Sequence, residues 1–228
     1  MNYSDRLSDA RIVDSWHKNA TPWTSAVRAH EIESRRLVTD QAIIDAIGDH
    51  APRSLIDLGC GEGWLIRALS GHGIRLIGID VVPELIDQAN SAGGGEFHVA
   101  SYESIAGGDF RFTADAVVCN FSLLGKESVE ATCAAMPSLL TPGGVLIVQT
   151  LHPMVACGDA PYRDGWRDGS WQGFNTQFSD PPPWYFRTLG GWVALLRESG
   201  LCLQSLREPL HPVSGRPASV IFVAGVMR

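Results

Sequence analysis

Ser54-Leu55-Ile56-Asp57-Leu58-Gly59-Cys60-Gly61-Glu62-Gly63-Trp64 is the stretch on which the fold turns. An apolar run ends in three glycines at alternate positions, and residues 65–69 then resume helical spacing. The pattern predicts a short buried strand, a tight turn and a helix. Glycines in such a turn let backbone approach a ligand closely, because no Cβ stands in the way.

The same alternation continues downstream. Residues 75–80 form a second apolar run, with Pro83 placed to open a helix over 84–90. Runs at 97–100, 114–120 and 145–150 predict strands three to five. A helix is expected over 126–140 despite Pro137, followed by the turn Pro142-Gly143-Gly144. Strands alternating with helices predict an α/β, doubly wound, mostly parallel sheet with helices on both faces. The end of the chain differs. A helix near 189–199 precedes two apolar runs, 201–206 and 219–226, joined by the turn-rich His211-Pro212-Val213-Ser214-Gly215-Arg216-Pro217. These predict an antiparallel hairpin at the sheet edge. Upstream, residues 5–48 carry helical periodicity with a break expected at Thr21-Pro22.

At 228 residues, with 45% apolar and 19% charged residues, the chain supports one large core, and a single domain is expected. Its parts are a helical cap (1–50), a ligand-binding core (51–151), an insertion (152–187) and a terminal helix and hairpin (188–228). A net charge of −7 without a basic run argues against nucleic acid and favours a small-molecule substrate. The five cysteines are odd in number and lack CxxC spacing, which argues against bound metal and for a reducing, cytoplasmic setting. The first residues lack a signal core, and no apolar run approaches the ~20 residues of a membrane span. Oligomeric state leaves no trace in the sequence.

Ligands of open α/β sheets lie beyond the carboxyl ends of the strands, where Asp57, Asp80, Ser101 and Asn120 are expected to converge. A dinucleotide fingerprint, G-x-G-x-x-G, needs glycine at position 64, which is Trp64. Asp57 and Glu62 would also repel a diphosphate, whereas a sulfonium or ammonium is attracted. Asp80 stands where a carboxylate accepts ribose hydroxyls. The electrostatics suit S-adenosylmethionine.

Leu58-Gly59-Cys60-Gly61-Glu62-Gly63 and Gly78-Ile79-Asp80 resemble the first motif and following acid of the class I S-adenosylmethionine-dependent methyltransferases, and residues 50–150 match that core in order and spacing. The resemblance implies a seven-stranded sheet of order 3-2-1-4-5-7-6 with the last strand antiparallel. It implies Asp57 near the methionine amino group, with Gly59, Cys60 and Gly61 lining the loop. Asp80 and Val81 then fall at the ribose, Ser101 and Tyr102 beside adenine, and Asn120 and Phe121 below the sulfonium. His30 to Leu37 is similar to the N-terminal helix of ubiquinone-type O-methyltransferases, which implies that Arg36 holds the cofactor carboxylate through its planar fork. The Glu-His metal motif of those enzymes is absent after Asn120, so metal-assisted catechol methylation is not expected.

Methyl transfer is an in-line displacement that needs alignment and water exclusion more than acid–base help. Where the acceptor carries a proton, His152, after strand five, is the candidate base; Tyr162 and Asp159 are weaker candidates. The insertion holds eight of the chain's 19 aromatics, and Tyr162, Trp166, Trp184 and Tyr185 are expected to bind substrate there. Trp16 and Trp23 are placed either to close the same cavity or simply to pack the N-terminal helices together. Two other functions stay open: a non-catalytic cofactor-binding module, and a nicotinamide-dependent oxidoreductase.

Overall fold

A computed structural model describes residues 6–174 and 177–227. Helix α1 (Asp9–Arg28) is followed by a π-helical turn (Arg35–Thr39) that runs into α2 (Asp40–Gly48). The alternating core then follows: β1 (Ser54–Leu58), α3 (Trp64–Leu69), β2 (Arg75–Asp80), α4 (Pro83–Ala92), β3 (Glu96–Val99), α5 (Tyr102–Ala106), β4 (Ala114–Asn120), α6 (Glu127–Leu139) and β5 (Leu140–Thr150). Beyond it lie α7 (Pro153–Ala156), β6 (Gly165–Arg167), β7 (Trp184–Phe186), α8 (Leu189–Glu198), β8 (Leu201–Arg207) and β9 (Val220–Val226).

The main sheet has seven strands in the order β3-β2-β1-β4-β5-β9-β8, and β9 alone runs antiparallel to its neighbours. Counting only main-sheet strands, this is the expected 3-2-1-4-5-7-6 with a reversed last strand. Its central strands are buried on both faces, as parallel strands flanked by helices must be. Val117 and Cys119 of β4 enter one apolar cluster with Ile56, Ile77, Met136 and Phe222. Ala116 and Val118 enter the opposite cluster with Leu55, Leu65, Ile66 and Ile147. The period-2 alternation of a strand thus feeds two cores at once.

Three expectations need correction. Pro22 lies inside α1 without interrupting it, and the break falls after Arg28, where His30 adopts φ +53. A helix-interior proline costs about 3 kcal/mol in isolation; here Asn19, Ala20, Pro22, Thr24, Ala26 and Val27 are all buried, so tertiary packing outweighs that cost. The second concerns residues 152–187, whose many turn residues and lack of sustained period predict an irregular segment, but which hold a two-stranded sheet, Gly165–Arg167 against Trp184–Phe186. Three-residue strands are too short to display a period. The third is the π-turn, which no local sequence signal announced.

Among the described residues no helix is long and apolar enough to cross a membrane.

Candidate active site

β1 and β2 pair in parallel, with Asp57 opposite Gly78 and Leu58 opposite Ile79, which brings Asp57 and Asp80 to neighbouring strand ends. Between them the glycine loop folds back on β2: the amides of Gly59 and Cys60 both donate to the Ile79 carbonyl, at 2.7 and 2.9 Å. Gly59 adopts φ +78, and a Cβ there would collide with Ser122. Ser122 is locked in turn, its hydroxyl donating to the Leu58 carbonyl at 2.6 Å. At Gly59 there is room for backbone only.

The two acids are held differently. Asp80 accepts from the Gly61 amide through Oδ2 and from the Val82 amide through Oδ1, both at 2.9 Å. Asp57 is 2% exposed and its Oδ1 has no hydrogen-bond partner. Burial pushes the Asp57 carboxyl up to about 7; the Asp80 carboxylate adds to the rise and the Arg35 guanidinium opposes it. Burial raises Asp80 too, against the lowering effect of the Val82, Gly61 and Val81 amides.

Glu62, expected to lend charge to this niche, is ion-paired to two arginines, and only a minor part of its charge reaches the neighbouring Cys60. Its side chain is fully buried and clamped by Arg67, with Nη2 at 2.6 Å from Oε1, and by Arg28 Nε at 2.9 Å from Oε2. The carboxylate is a structural anchor between α1, the loop and α3.

Arg36 is exposed, and the neighbouring Arg35 faces inward instead. The wider π-turn offsets side-chain phase by about one residue, a device common at functional sites. Arg35 is 11% exposed, its Nε donates to Asp40 at 2.9 Å, and its Cζ lies 4.6 Å from the Trp64 ring. Its Nη2 is buried without a partner. Only the one-residue proximity to Arg36 hinted at it.

The remaining expected cofactor contacts lie on the same rim. Cys60 is buried, and burial pushes its thiol well up, which suits a small loop residue and not a nucleophile. Val81 packs against Ala20, Val82 and Leu85. Ser101 caps α5, its Oγ accepting from the Ser104 amide at 3.2 Å. Tyr102 donates from its hydroxyl to the Ser122 carbonyl at 3.3 Å. Asn120 Oδ1 accepts from Gln149 Nε2 at 2.7 Å, and the same amide reaches the Thr39 carbonyl behind the π-turn. Phe121 takes φ +55, a left-handed conformation that bulky residues rarely adopt outside functional turns.

Above the loop, Trp23 Nε1 would lie 3.4 Å from a Cβ at Gly61. It belongs to an aromatic cluster that joins α1 to the insertion: Trp16 meets Trp23 at 5.1 Å and Trp171 at 5.8 Å, and Trp171 meets Phe178 at 4.7 Å. Asn19, fully buried, donates to the Ser179 carbonyl and accepts from the Ser179 amide. Cap and insertion therefore meet above the glycine loop.

The expected substrate residues gather around β7. Trp184 and Tyr185 line a small cleft with Leu123, Leu124 and Thr150, and Trp184 also borders a second cleft of about 260 Å³ with His152. Trp166 stacks edge-on against Tyr185 at 5.6 Å, while the Tyr162 hydroxyl accepts from the Leu189 amide and its ring meets Phe186, a wall of the small cleft, at 5.8 Å. Asp159 is exposed. His152 is 3% exposed and bonds through Nε2 to Glu208 Oε1 at 2.7 Å. Glu208, 56 residues away in sequence, carried no sequence signal.

Residues 55–144 match the family described as "Methyltransferase domain". The chain is 35% identical over 106 residues to a ubiquinone biosynthesis O-methyltransferase of Xanthomonas campestris pv. campestris (strain B100), covering 43% of each protein. The chain thus matches less than half the length of that relative. In three dimensions it resembles an S-adenosylmethionine-dependent methyltransferase from Clostridium acetobutylicum ATCC 824, with TM-score 0.67 and 13% identity over 93% of this chain and 99% of the other. Residues 55–144 thus match a methyltransferase domain, and the chain has the fold of the S-adenosylmethionine-dependent methyltransferases. The domain also resembles the glycopeptide N-methyltransferase MtfA complexed with sinefungin, with TM-score 0.63 and 14% identity over 82% of this chain and 85% of that one. Asp57, the glycine loop and Asp80 stand at the carboxyl ends of β1 and β2, where open α/β sheets bind their ligands.

Proposed function

We propose that this protein binds S-adenosylmethionine across the carboxyl ends of β1 to β4 and catalyses transfer of its methyl group to a small-molecule acceptor. One observation carries the reading: the niche beside the glycine loop contains two buried, unpartnered polar atoms of opposite character, Asp57 Oδ1 and Arg35 Nη2. Interiors seldom leave such atoms unsatisfied, and each costs about 1–3 kcal/mol. An amino-acid zwitterion answers both, its ammonium against Asp57 and its carboxylate against Arg35. The glycine loop, which tolerates no Cβ at Gly59, gives the rest of the ligand its close approach to backbone.

When bound, the sulfonium cofactor supplies an electrophilic methyl carbon. The chain's own residues bind, orient and exclude water. Asp80, already fixed by two amides, retains lone pairs for ribose hydroxyls. Trp23 and the aromatic cluster keep solvent from the loop, which strengthens every charge interaction beneath. Calorimetry with S-adenosylmethionine and S-adenosylhomocysteine tests the reading: micromolar binding lost in Asp80→Ala is expected, and unaltered affinity in that variant would overturn the site.

A further inference from the structure

We propose that His152 and Glu208 form a proton-accepting pair at the base of a separate acceptor cleft, built for an apolar molecule that presents one O–H or N–H group. The proposal rests on the methyl-transfer reading and adds the acceptor's chemistry to it.

Three features coincide. First, His152 lies two residues beyond β5, the strand whose Gln149 pairs with Asn120, and so stands on the rim that carries the cofactor site. Second, the imidazole is 97% buried and its two nitrogens differ: Nε2 is bonded to Glu208, whereas Nδ1 has no partner. A carboxylate at Nε2 favours the tautomer with its hydrogen there, leaving a bare lone pair on Nδ1. Leaving a buried acceptor without a donor is costly, and a ligand's O–H or N–H would relieve that cost. Third, His152 lines the cleft of about 260 Å³, whose walls are mostly apolar, with Leu151, Val155, Ala156 and Trp184, against Asp168 and Ser170. Leu151 and Val155 are also exposed, so the apolar wall continues to the surface. Glu208 bonds the imidazole, and Asp168 lines the same cleft.

The chemistry balances without a further reagent. The acceptor's O–H or N–H bond breaks and its proton passes to Nδ1. The electron pair left on the heteroatom forms the new bond to the methyl carbon, and the old carbon–sulfur pair stays on sulfur. The imidazolium is stabilised by Glu208 and returns its proton to water. Glu208 acts through His152 and is a positioning residue.

2-Naphthol offers an apolar body with one O–H, and 2-methoxynaphthalene is the same body without it. Calorimetry first establishes S-adenosylhomocysteine binding; its absence would defeat the methyl-transfer reading itself. With that ligand bound, 2-naphthol is expected to bind about tenfold tighter than its ether, the worth of one hydrogen bond. His152→Gln keeps a polar atom near Nε2 for Glu208 but lacks one at Nδ1, and is expected to fold with little change in Tm while abolishing the preference. His152→Asn keeps a polar atom near Nδ1 and is expected to retain part of it. Long-range proton–nitrogen NMR of the wild type is expected to show Nδ1 without hydrogen. Equal or absent binding of the two naphthalenes, a hydrogen on Nδ1, or an unchanged preference in His152→Gln would each overturn the proposal while leaving the cofactor site standing.

Discussion

Asp57 and Asp80 stand at the ends of adjacent parallel strands, and the charge on Asp80 adds to the rise that burial gives Asp57. Asp80 is compensated by two backbone amides; Asp57 keeps one oxygen unpartnered. The free protein thus holds an acid that a cationic ligand would relieve.

Asp57 should lower stability at neutral pH. Its folded pKa of about 7 lies above the ordinary 3.8, so the folded state holds the proton more tightly. The stabilisation that this proton provides is complete below pH 3.8 and is lost as pH rises through 7. The gap corresponds to at most about 4 kcal/mol. Asp57→Asn should therefore raise Tm at pH 8 and have little effect at pH 4, while S-adenosylmethionine binding weakens at least tenfold. Urea melts at the two pH values check the sign; equal effects at both would refute it.

The same acid gives ligand binding a pH dependence. A bound ammonium favours the carboxylate and lowers its pKa, so affinity for S-adenosylmethionine should rise toward pH 7 and level off above it. Calorimetry between pH 5.5 and 8.5, in wild type and Asp57→Asn, isolates the contribution, since the variant should lose this rise.

Arg35 and Arg36 are separable by mutation. Arg35→Met removes a buried fork with a vacant nitrogen, and a charge-assisted bond is worth about 1.5–3 kcal/mol, so affinity should fall roughly ten- to hundredfold. Arg36→Met alters an exposed side chain and should change affinity less than twofold. The reverse order would restore the role that the sequence resemblance implied for Arg36.

Glu62 should matter to stability more than to the ligand. Arg67→Met leaves a fully buried carboxylate with Arg28 as its remaining ion-pair partner, and loss of one partner from a buried pair costs about 3 kcal/mol, reduced here because Arg67 is partly exposed. A fall in urea midpoint of about 1–2 kcal/mol equivalent is expected. Double substitution with Glu62→Gln should recover part of it.

Asn19 joins cap and insertion. Asn19→Ala loses both bonds to Ser179, and tryptophan emission should shift red as the Trp16–Trp171 contact loosens. A spectrum unchanged from wild type would show that aromatic packing alone holds the closure.

The strands, the loop, Asp57 and Asp80 were legible in the sequence because each depends on local pattern: apolar runs of strand length, glycines where a Cβ will not fit, acids at strand ends; the sheet order came from the family resemblance. Tertiary structure alone decided where the charges went. It buried Glu62 between two arginines, turned Arg35 inward through a π-turn, carried α1 through Pro22, and set Glu208 against His152 across 56 residues. Periodicity reports which face of an element is apolar, but a charge is satisfied by whatever distant group the folded chain brings to it.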